Sequence, residues 1–177
     1  MNPRAATLSA MLLLWVGLCN GHATGADDEA CKDLYPSHGY NAKSAAEGYA
    51  EGYRLVQDKV DYKPNDIITV TLYTVGAPFK AFLIKAFDEE DKDVGQFVQL
   101  GAHSRLMPNC SAVTHTHPEE KTNILAHWRA PKDRRGKVHF KATVLKNFSN
   151  FYHAMPSTLP EEELQSPDVV ASAPVTY

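Results

Sequence analysis

From position 67 onward the chain is built of short runs in which apolar and polar residues alternate. In the run 67–75, Ile68, Val70 and Leu72 fall on one side and Thr69 and Thr71 on the other. β-Branched residues at period two predict a strand. Pro64-Asn65-Asp66 opens it as a turn, and Gly76-Ala77-Pro78 closes it. The run 79–87 is apolar on both faces, as expected of a strand in the middle of a sandwich. Further short strands are predicted over 95–100 and 112–116. In 122–129, Ile124, Ala126 and Trp128 face one way and Asn123, Leu125 and His127 the other. Pro131 ends that run, because proline has no N–H to give to a ladder. Residues 132–136 read as a charged hairpin turn. The run 137–145 then alternates again, with Val138, Phe140, Ala142 and Val144 inward. Short alternating strands about ten residues apart predict an all-β sandwich or barrel.

Outside this region the pattern is different. Residues 1–25 hold one base, Arg4, and the apolar run 11–18, then the small residues Gly21, Ala23 and Gly25. The run is too short for a bilayer span, which needs about 20 residues, and the arrangement reads as a secretory signal peptide cleaved after Gly21 or Gly25. Residues 26–60 are polar and rich in Gly and Ala. They contain the small duplication Ala46-Glu47-Gly48-Tyr49, Ala50-Glu51-Gly52-Tyr53. Glycine at that spacing disfavours a helix, so the stretch is expected to be an irregular arm pinned by Cys31. The domain is expected to span 26–155, and 156–177 to be a flexible tail with acids and prolines.

Of the three cysteines, Cys19 leaves with the leader. Cys31 and Cys110 then form one disulfide in an oxidising compartment. The formal net charge is −3, which does not point to nucleic acid. It also argues against membrane lysis, for which a cationic amphipathic helix is usual.

In order along the chain, Cys31, Tyr35-Pro36-Ser37-His38-Gly39, the Pro64 turn, Phe79-Lys80-Ala81-Phe82-Leu83-Ile84-Lys85-Ala86, Gly95-Gln96-Phe97, Cys110, Val113-Thr114-His115, Trp128-Arg129-Ala130-Pro131 and Gly136-Lys137-Val138-His139-Phe140 together resemble the Reeler domain family over roughly 31–147. Ala81 stands where the family usually has glycine, and the second cysteine pair of some relatives is missing. The resemblance implies an immunoglobulin-like antiparallel β-sandwich. A single module of this kind is similar to the secreted insect defence proteins of the family, which are tied to antibacterial response and haemocyte nodulation. It is less like the family's multi-domain matrix proteins or its membrane ferric reductases.

Candidate chemistry is sparse. Lys132, Arg134, Arg135 and Lys137, joined by Lys121 or Arg129, form a basic patch suited to phosphate, sulfate or carboxylate. His115 and His117, two apart on a strand, face the same way and are a metal candidate if a third ligand such as His103 or Glu119 joins them. The acids between Asp88 and Asp93 read as a solvated turn, with a weak calcium site as the minority alternative. Asn147 and, less favourably, Asn109 head glycosylation sequons. Trp128 is expected in the core. No nucleophile motif or phosphate loop occurs, so the expectation is a monomeric binding protein without cofactor. Its expected partners are microbial glycolipid or polysaccharide and haemocytes. The alternatives are a matrix module that binds heparan sulfate and a metal- or haem-linked redox partner.

Overall fold

The protein is described by a computed structural model over residues 24–36 and 41–161. A 3-10 turn at Glu29–Cys31 leads to helix α1 (Ala45–Ala50) and then to the strands. These are β1 (Tyr53–Gln57), β2 (Asp61–Tyr62), β3 (Ile67–Thr74), β4 (Ala81–Phe87), β5 (Gln96–Leu100), β6 (Ser104–Met107), β7 (Ala112–His115), β8 (Asn123–Arg129), β9 (Gly136–Lys137), β10 (His139–Asn147) and β11 (Asn150–Pro156). They form a four-stranded sheet, β1-β3-β8-β5, a five-stranded sheet, β11-β10-β4-β7-β6, and the ribbon β2-β9. Every strand pairing is antiparallel.

The period-two faces meet between the sheets. Leu55, Ile68, Val70, Leu72, Ile124, Ala126 and Trp128 come from the first sheet, and Phe82, Ile84, Ala86, Phe140, Ala142 and Val144 from the second. Trp128 stacks edge-on against Tyr62 and Phe140, and its indole N–H donates to the Val94 carbonyl at 2.9 Å. Gly95, at φ 58°, lies against that ring; a Cβ there would sit 2.3 Å from it.

The apolar outer face of β4 has its own cover. Leu83 and Phe87 pack with Ala30, Cys31, Leu34, Met107, Cys110 and Ala112 in a second buried cluster. The Cys31–Cys110 disulfide, with Cα atoms 5.8 Å apart, closes this layer. Lys85, buried in β4, donates to the Cys31 carbonyl at 2.6 Å and pairs with Asp93 at 2.7 Å.

Three expectations are corrected. The segment 26–60 is not irregular, because it contains α1 and β1. Ser44 and Glu47 cap α1 reciprocally: the Glu47 N–H donates to the Ser44 hydroxyl and the Ser44 N–H to the Glu47 carboxylate. Gly48 lets the helix lie against β11, since a Cβ there would meet Met155 Sδ at 2.6 Å. Gly52, at φ 102°, turns the chain into β1.

The turn after β8 is no hairpin, because β8 and β10 belong to different sheets. The ordered domain also runs past position 155: β11 ends at Pro156, and Thr158 bridges to Val56. The leader expected over 1–25 falls almost entirely outside the described residues, and so does the tail beyond 161. Among the described residues no helix is long and apolar enough to cross a membrane.

Candidate functional site

The candidate residues fall at opposite ends of the sandwich. Strand β8 starts beside Lys121 and ends at Arg129, where the basic loop 130–135 begins. That loop carries the chain from one sheet to the other and is held at both ends. Ala130 N–H donates to the Asp66 carbonyl and Asn65 N–H to the Pro131 carbonyl, while β2 pairs with β9 through Tyr62↔Gly136 and Asp61↔Lys137.

Lys132, Arg134, Arg135 and Lys137 are all exposed, as is Arg129. Arg134 lies 3.4 Å from Asp88. Lys132, Arg135 and Lys137 form no ion pair with a described residue within 4 Å. Lys63 and Arg135 each adjoin the Tyr62↔Gly136 pair that ends the ribbon; no sequence signal linked them, because 72 positions separate them.

The acidic turn after β4 flanks this loop and is committed to partners. The Asp88 carboxylate accepts backbone N–H groups from Lys92 and Glu90 and faces Arg134, and together these hold it below the usual carboxylate range. Asp91 is held low by hydrogen bonds from Lys141 at 2.7 Å and His139 at 3.0 Å. These acids contribute to no metal-ligating group among the described residues. They also dilute the positive field of the loop, so the patch is a set of exposed donors with limited long-range attraction.

Lys121 is not part of the patch. It is 4% exposed, and its ammonium donates to the carbonyls of Lys80, His117 and Glu119 at 2.9, 2.7 and 2.6 Å. Burial holds its pKa below the ordinary lysine value.

The pairing of His115 with His117 is also corrected. Strand β7 ends at His115, so the same-face rule for alternate residues no longer applies at His117. His115 is buried against the Phe82 ring, and its Nδ1 lies 3.4 Å from the Phe82 N–H. His117 instead meets His103 across the open end of the β6–β7 hairpin. His103 Nδ1 and His117 Nε2 are 3.0 Å apart, with Glu119 alongside. Asn147 and Asn109 are both exposed; Asn109 Nδ2 donates to Asp28 at 2.7 Å, and Asn147 Oδ1 accepts from the Ser149 N–H.

The Reeler domain family model matches residues 29–167. The chain is 31% identical over 159 residues to Ferric-chelate reductase 1 of Bos taurus, which covers 85% of this chain but 26% of that protein. The chain therefore spans only a minor part of the length of such relatives. It is 30% identical over 151 residues to Defense protein l(2)34Fc of Drosophila melanogaster, covering 81% of this chain and 88% of that one. Among solved structures, the human F-spondin reeler domain (fragment 1) is similar with a TM-score of 0.55 and 25% identity, covering 71% of this chain and 95% of that chain.

Proposed function

The chain belongs to the Reeler domain family, and from that membership we propose that it is a secreted innate-defence protein that binds anionic or glycan components of microbial surfaces. One observation carries this reading: the likeness to the Drosophila defense protein extends over most of both chains. The ferric-chelate reductase likeness, by contrast, touches a minor part of the relative.

On this reading the basic loop does the binding. Lys132, Arg135 and Lys137, which form no ion pair with a described residue, offer donors to phosphate, sulfate or carboxylate, and arginine can do so with two parallel bonds. Arg134 joins them by leaving Asp88, an exposed contact that is worth little. The bound surface recruits haemocytes or other effectors, and the chain itself carries out no chemistry. The likeness to the F-spondin reeler domain favours a second reading, in which the same donors hold heparan sulfate in a matrix.

The test is retention of the purified protein on bacteria, β-glucan and heparin beads at low and high salt. Salt-sensitive retention on microbes, lost when Lys132, Arg134, Arg135 and Lys137 are all changed to Gln, supports the defence reading. Retention on heparin alone favours the matrix reading, and retention on none of the three overturns both.

A further inference from the structure

The open end of the β6–β7 hairpin gathers imidazoles in a way the fold does not need. His103 precedes β6 in a left-handed backbone conformation, φ 66°. His117 follows β7 by two residues, and the Thr116 N–H donates to the His103 carbonyl at 3.0 Å, which sets the two loops side by side. The rings meet edge-on with centroids 4.7 Å apart. His103 Nδ1 and His117 Nε2 face each other at 3.0 Å, hydrogen-bond distance, so a bound ion would replace the shared proton, and a Glu119 carboxylate oxygen lies within 4.8 Å of the ligating atoms of both. Beneath them, Lys121 pins the carbonyls of His117 and Glu119, so the loop that carries two of the three groups is fixed.

The remaining nitrogen is telling. His117 Nδ1 is buried and has no hydrogen-bond partner among the described residues; the nearest carboxylate oxygen, on Glu119, is 3.5 Å away. A small inward movement of Glu119, whose side chain is 75% exposed, closes that gap. Glu119 would then accept the Nδ1 proton and leave Nε2 as a lone-pair donor, the carboxylate–histidine–metal arrangement. Alternatively Glu119 ligates directly. Two imidazole nitrogens on one tetrahedral zinc at about 2.05 Å are separated by about 3.3 Å, close to the spacing already present.

We propose that His103, His117 and Glu119 form a binding site for a divalent transition-metal ion of the zinc or copper class, through His103 Nδ1 and His117 Nε2, with Glu119 as ligand or as the orienting carboxylate. Imidazole donors select such ions over calcium and magnesium, which take oxygen. With at most three protein ligands at an exposed end of the sandwich, at least one position of a four-coordinate ion stays open to water or to a donor group of a partner.

Zinc chloride titrated into tag-free protein by calorimetry tests this. The expected result is one saturable equivalent of Zn²⁺, with affinity about tenfold or more weaker in His103→Ala and in His117→Ala and unchanged in His127→Ala. On the unmodified protein, ¹⁵N spectra of the histidine rings are expected to shift at His103 Nδ1 and His117 Nε2 when zinc is added. Absence of saturable binding overturns the site, and so does binding that neither substitution weakens or ring shifts confined to other histidines.

Discussion

Lys121 illustrates how one residue can be misjudged from its type. A lysine beside Glu119 and Glu120 reads as one more surface cation. In the fold it is a buried clamp on three carbonyls from two loops. Replacing it with methionine leaves the stem volume but strands those carbonyls, and an unsatisfied buried polar group costs about 1–3 kcal/mol. Lys121→Met is therefore expected to destabilise the protein by about 2–3 kcal/mol in urea titration; a midpoint within error of the parent would show that water replaces the ammonium without loss. Gly48 and Gly52 make a related point. The same four-residue word occurs twice, yet the first glycine permits close helix–strand packing and the second a left-handed turn. Only their surroundings distinguish them.

At the scale of elements, the β4–β5 turn and the β8–β10 loop form one charged end. Asp88 and Asp91 have folded pKa values below the ordinary value, held there chiefly by the Lys92 N–H and by the Lys141 ammonium, respectively. For a carboxyl of depressed pKa, the unfolded chain binds the proton first as pH falls. The stability contributed is thus fully present above the unfolded pKa, about 3.9, and is lost as pH drops through the folded value. Unfolding followed by denaturant from pH 7 down to pH 2 is expected to show that loss on the acid side. Asp88→Asn with Asp91→Asn should flatten it, and an unchanged acid slope in the double variant would assign the loss elsewhere. The loop itself was legible as a concentration of base between two strands. Its partnership with the acidic turn was not, because Asp88 and Arg134 are 46 positions apart.

At the scale of the whole molecule, the sandwich has two apolar layers rather than one. The inner layer lies between the sheets, and the outer one is the strip where the N-terminal segment crosses β4 under the disulfide. The 79-residue separation of Cys31 and Cys110 makes the crosslink a strong restraint on the unfolded chain. Replacing both cysteines by serine is expected to lower stability by about 2–5 kcal/mol, read as a drop in Tm under non-reducing conditions. A change below about 1 kcal/mol would mean that Lys85, through its bond to the Cys31 carbonyl, and the surrounding apolar contacts hold the segment unaided.

For the strands it identified, the sequence by itself determined which face is buried. Period-two alternation, proline and glycine are local properties, and burial follows them directly: Ile124, Ala126 and Trp128 lie inside, as do Val138, Phe140, Ala142 and Val144. It also pointed to the disulfide: with Cys19 placed in an expected leader, Cys31 and Cys110 were the remaining pair, and they are the pair that is bonded. Tertiary structure alone decided which strands share a sheet, and so turned an apparent hairpin into a crossover between sheets. It likewise decided that His117 meets His103 rather than His115. Strand partners and side-chain neighbours are set by contacts between residues far apart in the chain, and alternation along one strand carries no record of what lies across from it.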